Sequence, residues 1–492
     1  MLALCALAAA CDLGGGVAEA RREVAPAVFW VRKGTPPAAT SGLLAAPQGP
    51  EDGSPARPFG SIGAALAAAP AGALLRLEDA VYEEKLVLSR PVVLLGRGTA
   101  RTSIVSMDEG APALDLRSAG AVELHGVSIE GGPIGVLAQG GTLRLQDVAL
   151  RRFSDAALVA RGSQVTLLAV EVVDVARGAT GRGIDLTGGT LEARGLLLRQ
   201  AGRRAVLLHG TRALLVDVDA EGSGLSALQA TDGAEVRVTG GRFVHQGGAA
   251  LYAGGARLTV EHANVSGDDY AIMGFRKAEI TVTDSELTDY RVAAIALVHS
   301  SGSVLRCHIA RGGSEGGISI VQGTAPIRLD DNRIQDPGPM GVHITTAEVT
   351  ARGNTITGAR LDRQRDLGDG FFGMDADLRL DGNVLRANAG SGVTGLRSRF
   401  ALKSNGFIGN GRAGVLLLDR SFASATGNLF DRNQGAGVEL AEQSRVSLGK
   451  NRFGDNPRFD IDVGCGPRAG GQATIEGGNT FAGVAARQRI CP

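Results

Sequence analysis

The chain has 492 residues with 51 basic and 51 acidic side chains, so it is formally neutral, and 44% of it is hydrophobic. That charge balance argues against nucleic acid as a partner. Length alone would suggest three domains, but the periodicity described below makes the chain one long solenoid, and 73 glycines suit a fold that turns every few residues.

Residues 1–11 form a short apolar run that ends Leu7-Ala8-Ala9-Ala10-Cys11. Small residues directly before a cysteine resemble a bacterial lipoprotein signal, which implies lipidation of Cys11 and a new N-terminus there. An ordinary secretory signal and a misplaced start codon are the alternatives. Residues 12–27, opening Asp12-Leu13-Gly14-Gly15-Gly16, read as a flexible tether. No later apolar segment is long enough to span a bilayer, so any membrane association runs through Cys11.

Residues 28–110 read as an N-terminal cap and first coils. Val28-Phe29-Trp30-Val31 is strand-like, and Ser61 is placed to cap a short helix whose apolar face holds Ile62, Ala65 and Leu66. Apolar strand patterns follow at 74–77, 82–88 and 92–95. A helix across the first coil would blunt the open end of a stack of strands.

Residues 111–463 carry the repeat. Its clearest form is Asn, any residue, large apolar, two residues, Asn, at Asn383/Leu385/Asn388, Asn405/Phe407/Asn410, Asn428/Phe430/Asn433 and Asn451/Phe453/Asn456, spaced 22, 23 and 23 residues apart. The register runs backwards through Asn354, Asn332, Cys307, Ser285, Ala263, Gly241, Val218, Gly195, Glu171, Val148 and Val127, with an apolar residue two places on each time. This period, with alternation as in Val438/Leu440 and Val446/Leu448, predicts three short strands and three turns per coil. About fifteen coils in register make a rod about 70 Å long at the strand spacing. Asparagine tolerates the left-handed backbone and its amide bonds both ways, so it is expected to form the tight corners and to bond from coil to coil. Phe407, Phe430 and Phe453 are expected to stack in the core. The interval of 29 from Asn354 to Asn383 implies an insertion near residues 359–369.

Residues 464–492 read as a C-terminal cap. Cys465 and Cys491 are expected to bridge within it, the alternative being two free thiols.

The order of residues 28–31, Asp52-Gly53-Ser54-Pro55, Pro58-Phe59, Ser61-Ile62, Ala64-Ala65-Leu66, Tyr82-Glu83-Glu84 and Leu95-Gly96-Arg97-Gly98 is followed by long coils with unequal turns. Together these are similar to the right-handed parallel β-helix proteins of the pectate-lyase-like superfamily, built of PbH1-type repeats. The resemblance implies an all-β solenoid with a short capping helix. It leaves function open, because the fold hosts lyases, hydrolases, epimerases, adhesins and non-catalytic envelope proteins.

Enzymes of that superfamily act on extended polysaccharides with side chains stacked from coil to coil. Here polar residues gather in the turns at His245, Gln246, Asp268, Asp269, Asp289, Tyr290, Arg291, Arg311 and Glu315. One reading is a calcium-assisted lyase: Asp268, Asp269 and Asp289 hold calcium against a uronate, and Arg291 or Arg311 removes the proton alpha to its carboxyl group. The other is that turns face water and are polar for that reason. Asp268-Asp269 is also similar to the paired aspartates of polygalacturonases, but that family's Asn-x-Asp, Gly-His-Gly and Arg-Ile-Lys segments are absent. His245, Tyr290 and Glu315, with Arg360 and Asp362 on the insertion, are candidate binding residues. The histidines show no metal-ligand spacing, and Tyr252, Tyr270 and Tyr290 fall on successive coils at different offsets. The expected protein is a monomeric, exported, lipid-anchored envelope component, periplasmic or on the outer surface. It is non-catalytic and offers an elongated surface to polysaccharide or another envelope component. The alternative is a polysaccharide lyase or related enzyme acting on an acidic glycan.

Overall fold

The computed structural model describes residues 26–34, 50–464 apart from 177, 179, 363 and 365, 470–482, and 488–490. Cys11 with the signal, the tether up to residue 25, and both Cys465 and Cys491 lie outside the described residues.

Each coil makes three strands of different length. Arg257–Glu261, Asn264–Ser266 and Tyr270–Phe275 form one coil, and Glu279–Thr283, Glu286–Thr288 and Ala293–Val298 the next. Every strand pairs in parallel with its counterpart one coil away, as in Leu258 with Ile280, Val265 with Leu287 and Ile272 with Ile295. Among the described residues, repetition builds three parallel sheets of 19, 18 and 18 strands, a right-handed parallel β-helix of about eighteen coils. The rod is about 85 Å long at the strand spacing. It exceeds the fifteen coils counted from the repeat because both ends add coils without a recognisable corner phrase. Side chains alternate along each strand, so Leu258 and Val260 fill the interior while Arg257, Thr259 and Glu261 face out. Among the described residues no helix is long and apolar enough to cross a membrane.

The corners work as a two-residue device: one residue takes a left-handed conformation and the next points inward. Between the first and second sheets the left-handed member is Asp331, Ser404 or Lys450, and the asparagine follows it. None of the described asparagines has a positive φ. Asparagine therefore does not supply the bend, contrary to expectation; the residue before it does. Asparagine is suited to the inward position because its amide can be satisfied there on both sides. Asn405 Oδ1 accepts from Asn383 N (2.9 Å) and Asn383 Nδ2 (3.0 Å), while its own Nδ2 donates to Leu380 O (2.8 Å) and Asn428 Oδ1 (3.0 Å). The ladder runs from Asn332 to Asn479, and a second one joins Asn388, Asn410, Asn433 and Asn456.

The phenylalanines stack as expected, with ring centroids 5.0 Å apart for Phe407–Phe430 and for Phe430–Phe453, and the column continues to Phe481 at 4.9 Å. Residues 464–492 are thus not a separate cap throughout. Gln472–Ile475, Thr480–Phe481 and Gln488–Ile490 continue the three sheets, and the interval of 28 between Asn451 and Asn479 hid this coil. Two upstream copies sit one residue from the expected register. Leu150, Val172 and Leu198 align and are buried, so Val170 and Leu196 hold the corners in place of Glu171 and Gly195. Consecutive apolar residues at 172–173 and 196–198 leave a period of two undecided, and a slip of one exchanges inside for outside.

At the N-terminal end the helix Ile62–Ala68 covers the first coil with Ile62 and Ala65 buried. Ser61 Oγ accepts from Ala64 N (3.0 Å), and the Glu84 carboxylate accepts from Ile62 N and Gly63 N (both 2.8 Å). Local chemistry thus fixes where this helix starts.

Candidate functional site

The turn cluster divides by the same corner device. His245, Asp289 and Arg311 are left-handed residues (φ 54°, 57° and 57°) between the second and third sheets. Gln246, Asp268 and Tyr290 are inward residues of that corner, the column that downstream becomes the second asparagine ladder. Asp268 is 1% exposed; its Oδ1 accepts from Gln246 N (2.5 Å) and its Oδ2 has no partner. Burial pushes its carboxyl group up to about 7. Tyr290 is buried and its hydroxyl donates to Pro337 O (3.3 Å), so it offers nothing to a ligand at the surface.

The remaining charges pair along the rod. Arg291 Nε donates to Asp269 Oδ1 (2.7 Å), and Arg311 donates through Nε and Nη2 to both oxygens of Asp289 (2.6 Å each). The Arg311 bond holds the Asp289 carboxyl below its ordinary range, and the same bond raises the pKa of Arg311. A raised arginine pKa works against a role as base. Asp268, Asp269 and Asp289 face different partners, and among the described residues no three His, Cys, Asp or Glu side chains are grouped to hold a metal. The lyase constellation is not assembled in this corner. His245 is exposed and Glu315 half-buried. On the insertion, Arg360 Nη2 donates to Gly312 O (2.6 Å), Asp362 Oδ1 accepts from Gln364 N (3.0 Å), and Asp362 bridges Leu367. Arg360 thereby braces the loop against the rod.

The outward face of the third sheet presents a different arrangement. Its outward positions at Asp185, Leu207, Ala296 and Thr394 are nearly covered although they lie on the outside of the coil, so this face is recessed between flanking side chains. Along the recess a cavity of about 400 Å³ is lined by Arg204, Ser226, Gln229, Tyr252, Tyr270 and Met273, with Asp269 beside them. Arg204 Nε donates to Gln229 Oε1 (2.6 Å). Neither Arg204 nor Arg203 has a carboxylate partner among the described residues, whereas Arg291, Arg306 and Arg311 each lie on one a coil away. Burial, then the charge of Arg203, pulls the Arg204 pKa below the usual arginine value. The Ser226 hydroxyl is buried without a partner. Burial foremost, with Glu315 and Asp269 adding, raises the Tyr270 pKa, so its ring carries a neutral hydroxyl. A guanidinium without a carboxylate and two half-buried phenols in one trough can take an anionic group and a sugar ring together.

Arg204, Gln229 and Met273 lie on strands of the third sheet, outside the turns where the polar residues gather. The available signal was an arginine at a strand start with no acidic residue at the same position in either neighbouring coil: Arg204 aligns with Arg182 and Ser226. Tyr252 and Tyr270 do meet in one trough despite their different offsets.

A family model described as a right-handed beta helix region matches residues 182–356 and 316–483, more than half of the chain. The chain belongs to the right-handed β-helix family. No curated protein matches the sequence. Among solved structures this β-helix is similar to the Dettilon tailspike protein (15% identity, 59% of this chain, TM-score 0.40) and covers 61% of that chain's length. It is also similar to the periplasmic alginate epimerase (10% identity, 83% of this chain and 78% of that one, TM-score 0.27). A third is the catalytic unit of the thermostable GH87 alpha-1,3-glucanase from Streptomyces thermodiastaticus (12% identity, 85% and 65%, TM-score 0.27). Likenesses this distant carry nothing over to the chemistry of this chain.

Proposed function

We propose that this β-helix binds an extended acidic glycan along the recessed face of its third sheet. The observation that carries the reading is Arg204, a half-buried guanidinium with no carboxylate partner among the described residues, held by Gln229 beside Tyr252 and Tyr270. A sugar carboxylate satisfies the guanidinium, and the phenol faces carry the ring. A straight trough on a rod suits a linear polymer better than a small molecule. The same proposal places the protein in the cell envelope, exported and tethered by a lipid at Cys11, on the strength of the Leu7 to Cys11 segment.

Affinity electrophoresis through gels containing polyuronates or neutral glucans tests the binding. The wild type is retarded by an acidic polymer, and Arg204→Ala loses at least tenfold in affinity. Equal retardation of the two proteins in every gel refutes the site. Metabolic labelling with an alkyne fatty acid tests the anchor: label is expected on the wild type and absent from Cys11→Ser, and an unlabelled wild type removes the lipid from the account.

A further inference from the structure

The first residue of each first-sheet strand faces outward, and along part of the rod these positions alternate in charge. Arg212, Glu235, Arg257 and Glu279 align one coil apart. Arg212 lies 3.2 Å from Glu235, while Arg257 lies 3.9 Å from Glu235 and 2.9 Å from Glu279. Farther downstream the same column reads Arg399, Phe422, Arg445, with an aromatic ring where the alternation calls for a carboxylate. Phe422 is 43% exposed, and neither Arg399 nor Arg445 has a carboxylate partner among the described residues.

Arg397, Arg399, Arg420 and Arg445 line a cavity of about 690 Å³ with Phe422 and Gln443, and among the described residues no acidic side chain lines it. Arg397 is taken by Asp375 and Asp419, and Arg420 by Asp419. The charges of Arg399 and Arg445 stay uncompensated. The cavity lies on the edge where the third sheet turns into the first, an edge that also carries Glu442. Five coils upstream on that edge stand Phe275, Arg276 and Lys277. Arg276 lies over the Phe275 ring at 5.4 Å. Arg276 and Lys277 are both exposed, and neither has a carboxylate partner among the described residues.

Two patches that pair basic with aromatic side chains, about 24 Å apart on one edge, fit an extended flat partner better than a compact ligand. Guanidinium groups take phosphate oxygens in pairs, and a phenyl ring exposed between them suits the apolar boundary just beneath a headgroup. An outer edge meets a plane along its length, whereas a polymer chain is better enclosed by the recessed third-sheet face. We propose that this edge lies on a membrane surface of anionic phospholipid, with Arg399, Arg445, Arg276 and Lys277 on the phosphate groups and Phe422 at the headgroup boundary. The downstream patch is far along the rod from the capping helix, so a chain that is also tethered at Cys11 lies along the membrane instead of standing on it.

The test uses the full chain with Cys11→Ser, which removes the lipid, and co-sedimentation with two kinds of vesicle: equal parts phosphatidylglycerol and phosphatidylcholine, and phosphatidylcholine alone. The readout is the excess of binding to the first over the second, which an apolar N-terminal segment shared by every variant leaves alone. That excess is expected to be present and to fade as salt rises. Arg399→Ala combined with Arg445→Ala is expected to lower it about tenfold or more, and Arg276→Asn combined with Lys277→Asn likewise, asparagine being tolerant of their left-handed backbone. Phe422→Glu restores the alternation seen at Arg212, Glu235 and Arg257, so it is expected to fold and to lose the excess as fully as the paired arginine variant. Retardation by an acidic polymer is expected to be unchanged in all of these, since the glycan site is on another face. Equal binding to the two kinds of vesicle, or an excess that survives in Phe422→Glu, overturns the membrane contact and leaves the glycan site standing. Retardation lost in the Arg399 and Arg445 variant would assign this edge to a polymer and overturns the contact as well.

Discussion

The upstream and downstream halves of the rod share one geometry and differ in the chemistry of their corners. Between the first and second sheets the corners from 127 to 218 are Val127, Val148, Val170, Leu196 and Val218, all buried, whereas from Asn332 onward the same position carries asparagines bonded coil to coil. Both halves fold into the same three sheets at the same spacing. What builds a corner is therefore a left-handed residue followed by an inward side chain, and the inward side chain is free to be apolar or amide. The difference lies in what each tolerates. An apolar corner loses packing when truncated, but an amide corner also strands the donors and acceptors of its neighbours.

The largest expected effect tests the shared core. Phe430 is stacked on both sides and fully buried, so Phe430→Ala is expected to cost about 4 kcal/mol in chemical denaturation, and Leu287→Ala at the equivalent upstream place about 3 kcal/mol. A much smaller loss at Phe430 would mean that the aromatic column is not what holds the downstream coils.

Next comes the contrast between corners. Asn428 takes two bonds from Asn405 and gives two, to Leu402 O and Asn451, so Asn428→Ala is expected to cost about 3 kcal/mol. Val170→Ala upstream is expected to cost about 2 kcal/mol. Equal losses would erase the distinction between the halves.

A smaller effect of opposite sign comes from converting one upstream corner to downstream chemistry. Asp268 stands in the column that becomes the second asparagine ladder, with one oxygen unpartnered. Its folded pKa of about 7 exceeds the unfolded value of about 3.9, so its contribution to stability is fully present below pH 4 and is lost as the pH rises through 7. Asp268→Asn is expected to be more stable than the wild type by about 2 kcal/mol at pH 8, an advantage that shrinks towards pH 4. Thermal melts at the two pH values check this, and a variant less stable at pH 8 would show that the charge is needed in the corner.

The period near 23 residues carried the fold because one inward position per coil repeats, and Phe407, Phe430 and Phe453 lie over one another as that period requires. Register failed only at Val172 and Leu198, where neighbouring apolar residues satisfy both phases. The candidate site was far less legible. A turn rich in Asp and Arg looks alike whether its residues face a ligand, pair along the rod as Arg311 and Asp289 do, or point inward as Asp268 does. Arg204 is distinguished by the carboxylate it lacks, which depends on neighbours a coil away.

The measurement that bears most directly on the account compares two arginines in one gel series. Arg204 lies in the trough and Arg311 on the corner, bound to Asp289. With an acidic polymer in the gel, Arg204→Ala is expected to migrate with little retardation while Arg311→Ala is retarded as the wild type is. Retardation lost in Arg311→Ala and kept in Arg204→Ala would contradict the placement of the site on the third sheet.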